Sequence, residues 1–410
     1  MAETFRGRPR GVGRMGHALG WAAGVAVAGL LAGCSTPKPA PPATVFYPAL
    51  PERPRIQYLR SLTTSDDVRK PLSSFARFIL GSESGRGVET VSRPYGVAYW
   101  QGKVYVCDSG GRRGAIFDLV KPEFRTFGDK APYRLGLPIN ISVGPQGEKY
   151  VTDTMHGQVL ILDPDDKPVR AISKPAGLKP CDAVWHDGEL FVADLKSNSI
   201  LVMDPASGKL LRQFGKSGSG PGEFFQPTNL AFGPDGALYV SDTLNARIQK
   251  LDREGHVLKI IGKRGMTLGD MVRPRGIAVD REGRLYVADA ATDSVQVYDT
   301  EGRLLVMLGG PGSDPGCLAL PAGVALSYEG IEPFAKYCAL DFRIEYLILV
   351  SSQLGPNKVS VYGFGTYTGA LAAAEDAPDV RRAPPPTGDK QESPKPQAPS
   401  PKEDPSPKTP

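Results

Sequence analysis

Residues 273–290 have the sequence RPRGIAVDREGRLYVADA, in which a proline, an apolar run and a turn containing glycine precede a second apolar run that ends in aspartate. The segments RPYGVAYWQGKVYVCDS (93–109) and QPTNLAFGPDGALYVSDT (226–243) repeat this pattern. The opening prolines of six such segments stand at positions 94, 138, 180, 227, 274 and 321, so the spacings are 44, 42, 47, 47 and 47 residues. A fixed period in this range is typical of repeat proteins, in which each copy is one supersecondary unit.

One copy contains four candidate strands. The runs LAF (230–232) and LYV (238–240) flank a Gly-Pro-Asp-Gly hairpin turn, and RIQKLD and HVLKIIG follow at 247–252 and 256–262. Four antiparallel strands repeated six times predict an all-β fold, a six-bladed β-propeller over residues 92–365. The sixth copy lacks a typical fourth strand. We expect an N-terminal strand at 56–62 to take its place and close the ring, and a strand from Thr366 onward is the alternative.

The first 33 residues have the layout of a secretory leader. Four arginines precede the apolar run WAAGVAVAGLLAG (21–33), which is too short to span a bilayer. The run ends in Leu31-Ala32-Gly33-Cys34, which resembles the lipobox of bacterial lipoproteins. The resemblance implies that Cys34 becomes the acylated N-terminus, and Ser35 after it implies sorting to the outer membrane. The alternative is an ordinary signal peptide followed by an incidental cysteine.

The composition divides the rest of the chain. Residues 34–52 are rich in proline and predict an extended tether. Residues 53–91 combine the closing strand with an amphipathic pattern over 70–81 that predicts a short helix. Residues 375–410 lack the apolar side chains that would offset the entropy of folding, so we expect a disordered tail.

The formal net charge of +5 does not indicate a nucleic-acid-binding surface. Residues 1–33 contain four arginines and one glutamate, which leaves a net charge of about +2 on the exported chain. No basic stripe follows the repeats, so we expect no nucleic-acid partner.

The repeat resembles the NHL family of propellers, whose units share the motifs P-x-G-I-A-V-D, G-x-[IL]-Y-V-x-D and V-x-[VK]-[FY]-D. The resemblance covers residues 92–325 well and the sixth repeat in part. The complete layout, with a lipobox, the strand PRIQYL (54–59), a short helix and the repeats, is similar to that of a group of exported bacterial lipoproteins. Some of those occur with multihaem cytochrome systems. The resemblance therefore implies a partner in an envelope protein complex, including complexes that contain cytochromes.

Four cysteines remain once Cys34 is lipidated, and export to an oxidising compartment permits disulfides. Cys317 and Cys338 flank an insertion found only in the sixth repeat, and whether they form a bridge or stay free is open. Cys107 and Cys181 belong to repeats that are not adjacent, so we expect both to be buried as small apolar side chains. The sequence has no CxxC or CxxCH motif, which excludes covalent haem attachment and a zinc ribbon.

Aspartate recurs at the end of the second strand of the repeat. We interpret these residues as acceptors of backbone N–H bonds in the following loop rather than as a ring of metal ligands. The set comprises Asp108, Asp153, Asp194, Asp242 and Asp289. A second set opens the next hairpin turn and has the same interpretation, and it comprises Asp163, Asp204, Asp252 and Asp299.

Related enzymes indicate where a metal site would lie. The gluconolactonase-like propeller enzymes, which resemble NHL proteins, hold a divalent cation at the axis through residues at or beside the one after the opening proline. Here the residues after the prolines are Tyr95, Ile139, Cys181, Thr228, Arg275 and Ala322, with no carboxylate among them. One position later, Asn140, Asp182 and Asn229 replace glycine in three consecutive repeats. Two alternatives are open for these three residues: an axial site for a cation or polar ligand, and local hydrogen bonding.

Two segments depart from the repeat and are candidate docking surfaces. The insertion at 328–345 contains Phe334, Tyr337 and Phe342, and the predicted helix contains Phe75 and Phe78. The alternative is that both segments pack onto the propeller body.

These patterns favour a lipid-anchored envelope protein that acts as a protein-binding or assembly scaffold, without catalysis and without a cofactor. His156 follows Asp153 in a loop but has no patterned Ser or Cys partner, so no catalytic triad is indicated. One alternative is a metal-dependent hydrolase or lactonase with a divalent cation at the axis, around Asn140, Asp182 and Asn229. A second is a glycan-binding module, for which the sequence lacks an aromatic stripe.

Overall fold

The computed structural model describes residues 44–70, 87–173 and 177–371. The leader with Cys34, the helix predicted over 70–81 with Phe75 and Phe78, and the tail at 375–410 lie outside these ranges, apart from residue 70, and stay predictions. Within the described ranges, no helix is both long and apolar enough to cross a membrane.

The described chain is almost entirely β-structure. Two strands precede the first repeat: β1 (Phe46–Tyr47) and β2 (Ile56–Leu62). Blade 1 contains β3 (Pro94–Trp100), β4 (Lys103–Asp108), β5 (Arg113–Asp118) and β6 (Glu123–Phe127). Blade 2 contains β7 (Pro138–Val143), β8 (Lys149–Asp153), β9 (Gln158–Leu162) and β10 (Pro168–Ser173). Blade 3 contains β11 (Pro180–His186), β12 (Glu189–Asp194), β13 (Ser199–Met203) and β14 (Leu210–Phe214).

The second half continues the same order. A short parallel pair, β15 (Lys216–Ser217) and β16 (Glu223–Phe224), leads to blade 4. Blade 4 contains β17 (Pro227–Phe232), β18 (Leu238–Asp242), β19 (Arg247–Leu251) and β20 (Val257–Ile261). Blade 5 contains β21 (Pro274–Val279), β22 (Leu285–Asp289), β23 (Ser294–Tyr298) and β24 (Leu304–Gly309). Blade 6 contains β25 (Pro321–Ser327), β26 (Phe342–Ser352) and β27 (Val359–Tyr367), with the one-turn helix α1 (Glu332–Ala335) between its first two strands. The predicted six-bladed propeller is confirmed.

The closing strand is also confirmed. The sixth sheet has the order β1-β2-β27-β26-β25, so β2 supplies its fourth strand, and Ile56 pairs with Phe364 in antiparallel register. The alternative strand from Thr366 onward is wrong, because Thr366 and Tyr367 are the last residues of β27 itself. Pairing the two ends of the chain in one blade protects the edge of β27 and closes the ring.

Side-chain hydroxyl groups of several blades donate hydrogen bonds to backbone carbonyls of the next blade. Thr152 on β8 donates a hydrogen bond to the Cys181 carbonyl of blade 3 at 3.0 Å. Thr243 after β18 donates to the Pro274 carbonyl of blade 5 at 2.7 Å. Ser351 on β26 donates to the Tyr95 carbonyl of blade 1, which joins the last blade to the first. These bonds satisfy carbonyls of the innermost strands that would otherwise be buried without a partner.

Apolar side chains fill the corners where the chain passes from blade to blade. Phe224, Met271 and Leu318 are each 0% exposed and stand three residues before the next opening proline. Met271 packs beneath Gly262, where an added Cβ would lie 2.8 Å from the Met271 sulfur and where φ is +76°. Only glycine combines that backbone conformation with such a close approach.

A buried ionic cluster joins blades 1 and 2. Asp166 contacts Lys149 Nζ at 2.6 Å and Lys103 Nζ at 2.7 Å, and it accepts a hydrogen bond from the Tyr105 hydroxyl. Burial opposes ionisation of this carboxyl, but the hydrogen bonds from Lys103 and Lys149 prevail and lower the pKa of Asp166 to about 2. A buried lysine of this kind, 0% exposed, is stable only because it is paired.

The disulfide alternative for Cys317 and Cys338 is wrong, because both cysteines are free. The Cys338 thiol donates to the Phe342 carbonyl at 2.9 Å, on the side of blade 6 that Gln57 faces. The loop that contains Cys317 lies instead beside Tyr58, the residue after Gln57 in β2, since Tyr58 is close to Gly316. Successive residues of a strand point to opposite faces, so the two thiols lie on opposite sides of β2.

Deleting the closing strand should destabilise the whole ring. Ile56 and Leu62 are each 0% exposed and Leu59 is 6% exposed, and burial of three such side chains contributes on the order of 5 kcal/mol, close to the total stability of many domains. We expect a chain that begins at Thr44 to melt cooperatively and one that begins at Thr64 to aggregate or unfold at a far lower temperature. Circular dichroism melting with sedimentation velocity measures both. Melting of the shorter chain as a monomer at the same temperature would contradict closure by β2.

Candidate functional site

The six innermost strands nearly touch at the axis. The residues two positions after the opening prolines are Gly96, Asn140, Asp182, Asn229, Gly276 and Gly323. A Cβ at Gly96 would lie 2.2 Å from Asn140 Oδ1, and one at Gly323 would lie 2.6 Å from the Tyr95 carbonyl oxygen. Blades 1, 5 and 6 therefore need glycine here, and the side chains of Asn140, Asp182 and Asn229 from blades 2, 3 and 4 occupy the space at the axis.

Asp182 is held mainly by backbone groups. Its Oδ2 accepts the Leu230 N–H of blade 4 at 2.8 Å, its Oδ1 accepts the Ala183 N–H at 2.8 Å, and Asn140 also donates to it. The residue is 2% exposed and has no ion pair with a cation among the described residues. Burial, the largest effect, outweighs these hydrogen bonds and raises the pKa of Asp182 to about 7.

Asn229 adjoins this carboxylate and has an unused acceptor. It is 3% exposed, and within the described part of the chain its Oδ1 has no hydrogen-bond partner. A buried acceptor without a donor costs about 1–3 kcal/mol, so such atoms are uncommon outside functional sites. Local hydrogen bonding, the alternative for this trio, accounts for Asp182 and Asn140 but not for Asn229.

The trio forms the floor of a cavity of about 450 Å³, which opens where the innermost strands end. We call it the axial pocket. Trp100, Phe232 and Tyr328 stand at its mouth on three different blades, with Arg281 stacked over the Tyr328 ring at 3.9 Å. The sequence pattern did not single out these aromatic residues. The signal was present, because each ends or directly follows the first strand of its repeat.

The opposite end of the axis, where the innermost strands begin, has a smaller cavity of about 220 Å³. Its lining includes Tyr95, Cys181, Thr228 and Arg275, the residues after four of the prolines. Burial raises the pKa of the Tyr95 hydroxyl above its usual value and that of the Cys181 thiol to about 12, so both stay protonated. Arg275 lies over the Tyr95 ring at 5.5 Å and donates to Gln353.

Neither end of the axis offers the donors that a hard divalent cation needs. The described residues contain no group of three His, Cys, Asp or Glu side chains that could hold a metal ion. At the end where the prolines stand, the lining has no carboxylate. In the axial pocket, each oxygen of the buried carboxylate, Asp182, already accepts a backbone N–H, and the other carboxylate of the lining, Glu329, is exposed beside Tyr328. A cation such as Ca²⁺ takes six to eight oxygen ligands, so this donor set does not fit it.

The repeated aspartates are structural acceptors, as predicted, but they reach further than the following loop. Asp108 accepts N–H bonds from Ser92 and Arg93, which precede the opening proline, as well as from Gly111 in the following loop. Asp289 likewise binds Val272 and Arg273 on one side and Ala291 on the other. Each such aspartate thus accepts hydrogen bonds both from the segment that precedes a blade and from the turn that follows the second strand of that blade. His156 belongs to this network, since its Nδ1 contacts Asp153 at 2.7 Å.

The insertion of blade 6 is not the exposed aromatic surface that the sequence suggested. Phe334 and Phe342 are 1% and 5% exposed, and Phe334 packs in the core beside Tyr99. The Tyr337 hydroxyl accepts a hydrogen bond from Arg60. The docking prediction is therefore wrong for the two phenylalanines, because α1 turns the Phe334 ring onto the propeller body and Phe342, the first residue of β26, packs against Phe46.

Comparisons with known proteins agree with a six-bladed propeller. The family model described as SMP-30/Gluconolactonase/LRE-like region matches residues 222–327, and one described as 6-bladed beta-propeller matches residues 181–233. Peptidylglycine alpha-amidating monooxygenase of Rattus norvegicus is 33% identical over 130 residues, which are 28% of this chain and 13% of that protein. The mouse protein is 32% identical over the same length. The chain thus spans only 13% of the length of these curated relatives.

Several solved structures align with this chain at low identity. A protein of unknown function from Bacteroides thetaiotaomicron aligns with a TM-score of 0.52 at 14% identity, over 67% of this chain and 70% of its own. A gluconolactonase from Xanthomonas campestris aligns with a TM-score of 0.49 at 16% identity, over 80% and 98% of the two chains. The virginiamycin B lyase of Staphylococcus aureus aligns with a TM-score of 0.47 at 15% identity, over 67% and 82%. At these identities the likeness extends to the fold alone.

The substitution Asp182→Asn should remove a pH-dependent loss of stability. Because burial raises the pKa of Asp182 to about 7, the folded protein keeps a proton that the unfolded chain releases near pH 4. Stability should therefore fall as the pH rises from about 4 to about 7, by up to about 1.4 kcal/mol per pH unit, and the variant should lack this contribution. The titratable groups packed against Asp182 are Tyr95, Cys107 and Cys181, and burial raises the pKa of each, so they remain neutral.

Urea unfolding at pH 4.5, 5.5, 6.5 and 7.5 measures this slope, with Glu301→Gln as the control because its carboxyl is exposed. An identical slope in the wild type and in Asp182→Asn would contradict a buried, protonated Asp182.

Proposed function

We propose that this chain is an exported, lipid-anchored propeller that acts as a protein-binding scaffold in the bacterial envelope. The observation that carries the proposal is a set of exposed apolar side chains on the outer side of blades 4 and 5. Met266 and Leu268, in the loop that joins the two blades, are 81% and 84% exposed. Leu258 on the outermost strand of blade 4 and Leu305 on that of blade 5 are 57% and 53% exposed. We call these four side chains the outer apolar patch.

The structure of the loop itself does not require these residues. The connections before blades 4, 5 and 6 share one parallel bridge, formed by Ser217 with Phe224, Arg264 with Met271 and Pro311 with Leu318. At the positions of Met266 and Leu268, the other two connections have serine and proline. The same backbone is thus built without exposed apolar side chains. Their presence on one connection supports a role in contacting a partner, since large exposed apolar side chains that the fold does not require can mark an interaction site.

The partner that we propose is an envelope protein complex, including one that contains cytochromes. Support comes from the resemblance of the sequence layout to exported propeller lipoproteins and from the lipobox that ends at Cys34. Acylation of Cys34 with export to the outer membrane would hold the propeller near the membrane surface, with residues 34–52 as the tether.

The double substitution Met266→Ser and Leu268→Ser should release the partner. Serine stands at the first of these positions in both related loops, so we expect the fold and melting temperature to be unchanged. Affinity capture from solubilised membranes through a tag on the C-terminal tail should recover a stable partner with the wild type and about tenfold less with the variant. Leu340→Ser is the matched control, because Leu340 is fully exposed and belongs to the blade 6 insertion rather than to the patch. No stable partner with the wild type, or equal recovery with the variant, would contradict the scaffold.

The second candidate is a metal-dependent hydrolase or lactonase with its site at the axis. It has support from the family match over residues 222–327, which includes Asn229. The side chains at the two ends of the axis argue against it, because they do not supply the oxygen ligands that a hard divalent cation needs. We therefore expect purified protein, dialysed against 1 mM CaCl₂ and then against buffer, to retain far less than one metal ion per chain by mass spectrometry. Stoichiometric metal that is lost in Asp182→Ala would instead favour the hydrolase.

A further inference from the structure

The axial pocket offers a binding function separate from the scaffold. Its floor combines two buried acceptors, the Asp182 carboxylate and Asn229 Oδ1, on adjacent blades 3 and 4. The Leu230 N–H that binds Asp182 Oδ2 belongs to the residue directly after Asn229, so the two side chains are close neighbours. Within the described chain, Asp182 has no cationic partner and Asn229 Oδ1 has no hydrogen-bond donor.

Three other buried aspartates in this protein have a cationic partner, which Asp182 lacks, whereas Asp108 and Asp289 rely on backbone N–H donors. Asp166 has Lys103, Lys149 and Arg125 as partners. Asp280 is paired with Arg284, and Asp242 is paired with Arg247 at 2.8 Å. A buried carboxylate is stable in its charged form only with such a partner or with several N–H donors. Asp182 has N–H donors but no cationic partner, and burial outweighs those donors, so a cation from outside the chain would further stabilise its charged form.

The mouth of the pocket suits an organic cation. Trp100, Phe232 and Tyr328 are partly buried aromatic residues around the opening. One face of Phe232 is stacked on His186 and Arg281 covers one face of Tyr328, so the other faces of these rings and the face of Trp100 are those that would attract a cation or a flat apolar group. A cavity of about 450 Å³ falls in the size range of small-molecule sites.

We propose that the axial pocket binds a small organic ammonium ion, which donates hydrogen bonds to Asn229 Oδ1 and the Asp182 carboxylate while its apolar body lies between the aromatic residues of the mouth. An ammonium group has three donors and no acceptor, which complements a floor built from acceptors. A divalent metal ion fits less well, because it would need oxygen ligands that the pocket does not supply. This site lies at the opposite end of the axis from the residues that follow the prolines.

Benzylamine and benzyl alcohol are the probes that test the proposal. They differ only in carrying an ammonium or a hydroxyl group, so their difference in affinity isolates the charge. Titration calorimetry on the purified full chain at pH 8 should show the amine binding about tenfold more tightly than the alcohol. In Asp182→Asn the preference should fall below about threefold. Asn229→Leu should weaken the amine while it leaves Asp182 in place.

Two further measurements test the proposal even if Asp182→Asn does not fold. They are the pH dependence of binding to the wild type and the binding of both probes to a second variant. At pH 5.5 Asp182 is protonated, so amine binding to the wild type should weaken about tenfold while alcohol binding stays constant. The other titratable groups that face Asp182 are Tyr95, Cys107 and Cys181, which remain neutral in this range, and the Arg275 guanidinium acts electrostatically on Cys181. Trp100→Ala at the mouth should weaken both probes.

Three results would overturn the proposal. One is equal affinity for the amine and the alcohol, or binding of neither at 10 mM. The second is displacement of bound amine by equimolar Ca²⁺, which would make this a metal site. The third is binding of glucose in preference to benzylamine, which would make it a glycan site. None of these outcomes depends on the envelope partner, so the scaffold and the axial site can fail separately.

Discussion

The close approach of six sheet edges at one axis is the constraint on which the rest of this structure depends. Blades pack face to face only if their innermost strands come within van der Waals contact, and at Gly96, Gly276 and Gly323 a single Cβ would collide with the neighbouring blade. The ring is then held by hydroxyl groups that cross from one blade to the next, the last being Ser351 to the Tyr95 carbonyl. The N-terminal strand Ile56–Leu62 completes the sixth sheet, so the two ends of the described chain stabilise each other.

This constraint also determines where chemistry can occur. The repeated aspartates look like a set of acids in the sequence, but each is used to fasten the entrance of a blade through backbone N–H groups. Where glycine is replaced, at Asn140, Asp182 and Asn229, polar side chains reach the middle of the axis without a repeated structural task. They divide the axis into two ends of different character. The end near the prolines is small and contains Arg275, and the other has acceptors at its floor and aromatic residues at its mouth.

Sequence patterns predicted the features that repeat, together with the closing strand, and did less well on other features that occur once. The repeated strands and the role of the repeated aspartates follow from local pattern, because each copy supplies the same evidence again, and the missing fourth strand of the sixth copy indicated the closing strand. The state of Cys317 and Cys338, which the sequence left open, and the exposure of Phe334 concern a single insertion, and no second copy indicated how it folds. The cluster of Lys149 and Asp166 went unpredicted for a related reason: its members lie on different blades and meet only across their interface.

The sequence by itself determined the number of blades, the order of their strands and the three positions at which glycine is replaced at the axis. The repeat period, the turn residues and the apolar alternation are local properties, so they can be identified directly in the amino-acid sequence. Only the tertiary structure decided that Asp182 is buried without a cation, that Asn229 Oδ1 lacks a donor, and that three aromatic residues from separate blades surround one opening. Those properties depend on distances between residues far apart in the chain, and such distances exist only once the ring has closed.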